Sequence, residues 1–132
     1  ILAMSALDAA LEVFDQVDMA DVRTKSLSLT DNFIAVMEQR CSSHGFSLST
    51  TREHDRRGSQ VSWRHELGYP IMQAIIAEGV IGDFRAPDIL RFGFTPLYLR
   101  YVDIWDAVSV IEDVMISRRW DQPQFHERAA VT

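Results

Sequence analysis

Arg91 is the residue whose type and position most directly suggest chemistry. It lies between Leu90 and Phe92 in a segment with the composition of a buried strand. Because an unpaired charge among large apolar side chains is very costly, this arginine needs an anionic partner. The partner is either an aspartate or glutamate of the chain itself or the carboxylate of a bound ligand, and the residues alone leave both open.

A second charged stretch surrounds another predicted strand and contains Arg57, Ser59 and His65. These three are candidate site or interface residues, although the same charges would also suit a solvated edge strand that avoids pairing with other chains. Tyr98, in the turn after the arginine strand, is a further candidate. We expect Tyr98 to pack at the start of the last helix rather than to cover a site.

Other catalytic patterns are absent from the sequence. The four histidines stand at no zinc-binding spacing, and Cys41 is the only cysteine, so no metal site is predicted. There is no GxSxG, no P-loop and no GxGxxG. We expect Cys41 to be a buried small residue rather than a nucleophile. No catalytic residue is therefore predicted in this chain, and the residues alone indicate a domain without a reaction.

Composition places the chain among ordinary globular domains. Its 132 residues suffice for one domain, with 47 % hydrophobic and 24 % charged residues. The net charge of −6 argues against nucleic acid or an anionic membrane as partner. The opening Ile-Leu-Ala-Met has neither an initiator Met nor the basic region of a signal peptide, so we expect an excised piece. A single cysteine fits a reducing, cytoplasmic location.

The first half of the chain is predicted to contain two helices and two strands. Ser5 and Asp18 are the predicted N-caps of the helices, and Gly45 is expected to end the second one. Alternating apolar and polar residues predict strands at 46–51 and 60–65.

The second half is predicted to contain two more helices and a pair of strands. Pro70 and Gly79 frame the third helix. Strands are predicted at residues 81–85 and 89–94, separated by a turn, and Asp103 is the predicted N-cap of the last helix.

These elements predict an α+β fold, in which helices pack on one face of a small, mostly antiparallel sheet. A parallel crossover stays open, because strands and helices alternate along the chain. The domain is expected to span residues 1–120. Residues 121–132 lose their apolar periodicity and are expected to form a frayed tail.

Several separated segments of the sequence resemble those of a known enzyme family. The segments LRFGFTPLY at residues 90–98 and VDIWDA at 102–107 resemble the end of class V, fold-type I pyridoxal-phosphate enzymes, where a strand arginine precedes a tyrosine-containing turn and a last helix. The resemblance narrows to kynureninase with RGSQVSWRH at 57–65, GVIGDFRAP at 79–87 and DMADVRTKSLSLTD at 18–31. It covers nearly the whole chain except the tail.

The resemblance implies the C-terminal small domain of a homodimeric, cytoplasmic enzyme of tryptophan catabolism and NAD biosynthesis. That enzyme hydrolyses L-kynurenine to anthranilate and L-alanine with pyridoxal 5'-phosphate, which the family binds mainly through a large domain absent here. Lys25, the only lysine, does not match the lysine that holds the cofactor. No residue of this chain is assigned to the cofactor, and the isolated chain is expected to be inactive.

By the same resemblance, Arg91 matches the arginine that binds the α-carboxylate of the substrate. A planar guanidinium suits this task because it grips a carboxylate through two parallel hydrogen bonds. One alternative is the small domain of another class V enzyme, an aminotransferase or a cysteine desulfurase. Another is a non-catalytic α+β domain for ligand binding or dimerisation, in which Arg91 would pair with an internal acid.

Overall fold

The computed structural model of the chain describes residues 2–127. Its first half contains α1 (Leu2–Leu11), α2 (Met19–Cys41), β1 (Ser47–Leu48) and β2 (Gln60–Arg64). Its second half contains α3 (Gly68–Ala77), β3 (Asp83–Arg85), β4 (Ile89–Gly93), α4 (Tyr101–Ile116) and α5 (Pro123–His126). Short 3₁₀ turns lie at Phe14–Gln16, Ser42–His44, His54–Arg56 and Arg119–Asp121.

The four strands form one sheet in the order β1-β2-β4-β3, and each neighbouring pair is antiparallel. The α+β fold class predicted from the sequence is confirmed. The parallel crossover that the sequence left open does not occur in the sheet of residues 2–127.

One face of the sheet builds the core with the helices. Its inward side chains on β2 and β4 are almost fully buried, and Phe92 packs against Phe33 of α2 with ring centroids 5.2 Å apart. Burying an apolar side chain of this size contributes roughly 1.5–3 kcal/mol, so this layer is a main source of stability. The opposite face carries the partly exposed side chains of Ser62, Asp83 and Arg91. The sheet therefore presents one polar face that a ligand can reach.

Helix α2 follows its predicted start and end. The carboxylate of Asp18 accepts a hydrogen bond from the Ala20 N–H at 2.7 Å, as an N-cap residue does. Phe33 and Met37, one helical turn apart, are both buried. After a final 3₁₀ turn, Gly45 reverses the chain with φ of +83°, a conformation that favours glycine. Neither α2 nor another helix of the described residues is long and apolar enough to cross a membrane.

Two predicted N-caps are wrong. Ser5 lies inside α1, because the alanine- and leucine-rich segment continues the helix back to Leu2. Asp103 occupies the third position of α4 rather than its cap. There its carboxylate accepts the Arg100 backbone N–H at 2.7 Å, as the third residue of a capping box does. In α4 the capping aspartate predicted from the sequence therefore takes part in the cap, but it lies three residues after the N-cap residue Arg100.

The predicted strand at residues 46–51 is shorter than expected. Only Ser47 and Leu48 belong to β1, which pairs with the end of β2. The Ser62 N–H donates to the side-chain hydroxyl of Thr50 at 2.7 Å. Because a side chain takes the place of a backbone carbonyl at this position, the regular ladder stops before it.

Helix α3 and the hairpin after it agree closely with the sequence. Pro70 lies in the first turn of α3, and Gly79 follows its end with φ of +91°. The strands β3 and β4 lie within the predicted ranges 81–85 and 89–94.

The beginning of the predicted tail is ordered rather than frayed. Within it, α5 places Phe125 against the hydrophobic core, and the Tyr69 hydroxyl donates to the Glu127 carbonyl at 3.0 Å. A single aromatic anchor has no periodicity, which explains why the sequence pattern missed it. Residues 128–132 of the predicted tail lie outside the described residues, and the division at residue 120 stays a prediction.

Candidate functional site

Arg91 lies on the polar face of the sheet, directly opposite Asp83 in the antiparallel register of β3 and β4. Its Nε donates to one carboxylate oxygen of Asp83 at 2.6 Å, and its Nη2 donates to the other at 2.5 Å. The Arg91 side chain keeps 28 % of its surface exposed, and that of Asp83 keeps 51 %. Of the two partners that the sequence left open, the internal acid is present in the fold.

The pair leaves half of the Arg91 guanidinium available. Asp83 occupies the edge formed by Nε and Nη2, whereas Nη1 donates to no atom of residues 2–127. A guanidinium has five N–H donors in one plane, so the Nη1–Nη2 edge can bind a second carboxylate in the same plane. The geometry can therefore hold an internal and an external carboxylate together.

Arg91 and Asp83 line a cavity of about 980 Å³. Its walls come from β4, the segment that leads into β3, the start of β2 and one side of α4. Phe92 and Phe94 contribute apolar surface, and Arg91 is the only basic residue among the described residues of the lining. A ligand in this cavity would find one cation, which is the requirement for orienting a single carboxylate.

Gly82 keeps this wall close to the sheet. A Cβ built at this position would lie 2.9 Å from the Arg91 carbonyl oxygen and 2.8 Å from Cε of Met72. Both distances are shorter than real Cβ contacts, so a larger residue would push the segment before β3 outward. The glycine thus allows the chain to lie close to β4 immediately before Asp83, the first residue of β3.

The charges around the cavity are largely paired. Glu78 forms an ion pair with Arg119, and Asp103 is held by Arg100 at 2.6 Å. The side-chain hydrogen bonds that Arg91 donates to the Asp83 carboxylate lower the pKa of Asp83, and the same bonds raise the pKa of Arg91. Both members of that pair are therefore charged throughout the neutral pH range.

Ser59 and Tyr98, two of the predicted candidates, also line the cavity. The Ser59 Oγ lies 2.5 Å from the Oγ of Ser26, a buried residue of α2. Tyr98 is 72 % exposed. The expectation that Tyr98 packs at the start of the last helix is therefore wrong, and its ring borders the cavity instead.

Arg57 does not belong to the cavity lining. Its side chain is only 1 % exposed and forms an ion pair with Asp31 of α2. The same carboxylate lies 2.8 Å from Nε2 of His54, which is in the loop before β2. This arrangement joins the loop to α2 and favours a structural role for Arg57.

His65 also lies away from the cavity and is buried. Its Nδ1 accepts the Leu67 N–H at 3.0 Å, so the proton is on Nε2, which donates to the His44 carbonyl at 2.9 Å. The ring thus joins the turn after α2 to the beginning of α3. The structure brings Arg91, Ser59 and Tyr98 together and separates them from Arg57 and His65.

The residues present do not fit a covalently held aldehyde cofactor. Lys25 lines a different, smaller cavity of about 320 Å³ with Asp18 and Asp21 and is not among the residues that line the cavity of Arg91. Cys41 is 1 % exposed, and burial raises the pKa of its thiol to about 11. Within residues 2–127, no three or more histidines, cysteines or acids are arranged to hold a metal ion. Among the described residues that line the cavity of Arg91, none is a lysine whose amine could bind such a cofactor.

Asp83 was not predicted from the sequence, although the hairpin contained the signal. A turn between Arg85 and Ile89 makes these two residues opposite each other, and counting back two positions places Asp83 opposite Arg91. Side chains two residues apart on a strand share one face. Counting residues back from the turn of the hairpin would therefore have identified Asp83 as the internal partner of Arg91.

Comparison with known proteins identifies the family. The family model described as "Kynureninase C-terminal domain" matches residues 22–111. The chain belongs to this family. Kynureninases from Burkholderia mallei (strain SAVP1) and Burkholderia pseudomallei (strain 1106a) are each 54 % identical to it over 132 residues. A kynureninase from Pseudomonas fluorescens is 49 % identical over the same length.

The matches cover all of this chain but only 32 % of the length of each of these kynureninases. The resemblance to the kynureninase C-terminal domain noted in the sequence is confirmed. The small antiparallel sheet with its helices is accordingly the C-terminal domain of the fold-type I pyridoxal-phosphate fold.

Proposed function

We propose that this chain is the substrate-carboxylate domain of a kynureninase, which hydrolyses L-kynurenine to anthranilate and L-alanine. In this proposal the complete protein is a homodimeric, cytoplasmic enzyme, and Arg91 binds the α-carboxylate of the substrate. The observation that carries the proposal is the Nη1–Nη2 edge of Arg91, which Asp83 leaves open towards the cavity. Among the described residues that line this cavity, Arg91 is the only basic one.

The contribution of Arg91 is positioning rather than proton transfer. Two parallel hydrogen bonds to the α-carboxylate fix the rotation of the amino acid, which aligns the bond to be cleaved. Pyridoxal phosphate, bound outside this chain, would supply the electron sink for cleavage of the bond between Cβ and Cγ. Phe92 and Phe94 line the same cavity, and apolar surface lowers the effective dielectric constant, which strengthens a contact between guanidinium and carboxylate.

The test is Arg91→Lys in the full-length protein loaded with pyridoxal phosphate. An ammonium group contacts a carboxylate at one point and does not reproduce the planar fork, so kcat/KM should fall roughly 100-fold. Anthranilate fluorescence during turnover of L-kynurenine measures the rate. The 132-residue chain assayed alone should produce no anthranilate, because its only lysine, Lys25, does not line the cavity of Arg91.

The matched control is Arg64→Lys. Arg64 lies on β2 and contacts Asp88 at 3.3 Å, so the same change is made on the same sheet outside the cavity lining. Its kcat/KM should stay within about twofold of the wild-type value. Wild-type kinetics in the Arg91→Lys variant would show that Arg91 does not bind the substrate. A wild-type protein that forms no anthranilate would refute the substrate.

The second candidate is a non-catalytic module, and the ion pair of Arg91 with Asp83 favours it. In that case the pair only stabilises the β3–β4 hairpin. Added amino acids would then leave the melting temperature of the full-length protein unchanged. A carboxylate site instead raises the melting temperature, because a ligand that binds only the folded protein stabilises it.

A further inference from the structure

We propose that Asp83 is the positioning residue that orients Arg91, holding one edge of the guanidinium so that the other edge faces the substrate carboxylate. This inference rests on the proposed function of Arg91 and adds a second residue to it. Asp83 does not touch the substrate in this proposal. It acts through the plane and rotation of the Arg91 side chain.

The first argument is the two-point contact. Asp83 accepts from Nε at 2.6 Å and from Nη2 at 2.5 Å, one bond to each carboxylate oxygen. Two parallel bonds to a planar group fix both its plane and its rotation, whereas a single bond leaves the rotation free. By comparison, Arg64 contacts one oxygen of Asp88 at 3.3 Å, which cannot impose such an orientation.

The second argument is that the backbone holds Asp83 in place. Asp83 is a β3 residue in direct register with Arg91, so both Cα positions are set by the same ladder. Before it, Gly82 passes so close to the Arg91 carbonyl that a Cβ would lie at 2.9 Å. A carboxylate fixed in this way is a poor competitor for the free edge of Arg91, because it cannot move around to that edge.

The third argument concerns entropy and charge. A free arginine side chain loses rotamer freedom when it binds a ligand, and a prior contact removes part of that loss. Asp83 also cancels some of the positive charge that attracts a carboxylate. Since the Arg91 side chain is 28 % exposed, solvent screens this charge effect, and we expect the gain in orientation to be larger.

The experiment compares Asp83→Asn, Arg91→Lys and the double variant in the full-length protein loaded with pyridoxal phosphate. Asp83→Asn should lower kcat/KM for L-kynurenine about tenfold, mainly through KM, since an amide retains one acceptor but loses the second charged bond. In the Arg91→Lys background the same change should cost less than about twofold, because the group that it orients is already lost.

The matched control is Asp88→Asn, the partner of Arg64 in the same hairpin. It should leave kcat/KM within about twofold of the wild-type value. Melting temperatures of all variants separate a kinetic effect from a loss of folded protein. If the asparagine variant does not fold, Asp83→Ser is a second neutral variant. It should lower kcat/KM by the same factor of about ten.

The outcomes distinguish this inference from the proposed function. If Arg91→Lys loses activity and Asp83→Asn behaves like Asp88→Asn, Arg91 binds substrate without a positioning partner, and only this inference fails. If the Asp83 effect is equally large in both backgrounds, Asp83 acts independently of Arg91 and the inference fails as well. If Arg91→Lys retains wild-type kinetics, the role of Arg91 and the role of Asp83 fall together.

Discussion

Arg57 and Arg91 are both paired with an aspartate, but their exposure gives them different uses. Arg57 is 1 % exposed, its Nε is buried, and that atom finds no hydrogen-bond partner within residues 2–127. A charge in that position has access only to the groups around it, so its role is to hold the loop against α2. Arg91 is 28 % exposed and has an edge open to the cavity, which a ligand can use.

The buried thiol of Cys41 makes the stability of the chain sensitive to alkaline pH. Burial raises its pKa to about 11 from an ordinary value of 9.0, with Glu112 adding to the effect. Between these values the unfolded chain loses the thiol proton first, so rising pH favours unfolding. Cys41→Ala should cost roughly 1 kcal/mol of unfolding free energy at pH 7, and this deficit should shrink as pH rises from 9 to 11.

Urea unfolding of the chain at several pH values measures this difference. Ser43→Ala, an exposed and non-titrating change two residues away, should show a difference from wild type that is independent of pH. A Cys41→Ala deficit that stays constant up to pH 11 would show that the thiol titrates normally in the folded chain.

A site residue could be predicted from the sequence only where its charge or polarity differs from that of its sequence neighbours. Arg91 was found because its charge interrupts a run of large apolar residues. The contacts of Ser59 with Ser26 and of Arg57 with Asp31 join residues 33 and 26 positions apart. Contacts between residues so far apart in the sequence arise from tertiary packing, and no local sequence pattern predicts them.

At the scale of elements, local signals located most helices and strands but not all of their ends. Gly79 and the hairpin were placed correctly, because a glycine with positive φ and a turn are local features. Two of the errors occurred where a polar side chain hydrogen-bonds a backbone group, as Thr50 does just after β1 and Asp103 does in α4. A short polar side chain suits several neighbouring positions, so its type does not fix the boundary.

The N-cap of α2 provides a stability test at this scale. The Asp18 carboxylate accepts from the Ala20 N–H at 2.7 Å, so Asp18→Ala should lower the free energy of unfolding by about 1 kcal/mol. Asp21→Ala is the matched control, since Asp21 lies in the first turn of the same helix and is not its cap. Equal losses in urea unfolding would show that charge near the helix N-terminus matters and the cap bond does not.

At the scale of the whole molecule, the chain after α4 returns to the core. Phe125 in α5 packs against the buried cluster, and the Tyr69 hydroxyl of α3 donates to the Glu127 carbonyl at 3.0 Å. The domain is therefore closed by a segment that composition alone identifies as a tail. The contacts of this segment also include Trp120, which packs against the same cluster, and the ion pair of Arg119 with Glu78.

Removal of the Phe125 ring should be costly. Phe125 is partly buried, so Phe125→Ala should lower the free energy of unfolding by roughly 2 kcal/mol, less than a fully buried phenylalanine would. Gln124→Ala, on the exposed side of the same short helix, should change it by less than about 0.5 kcal/mol. Thermal unfolding measures both, and a Phe125 variant as stable as the Gln124 variant would show that α5 does not anchor the domain.

The two edge strands of the sheet, β1 and β3, also affect how copies of this domain behave in concentrated solution. An open sheet has two outer strands, and long ones offer unpaired backbone groups on which other chains assemble. Here the outer strands have only 2 and 3 residues, and Asp83 and Arg85 place opposite charges on the longer of them. Such short, charged borders make a poor template for aggregation, so the domain can leave a polar sheet face open for a ligand without inviting fibrous self-association.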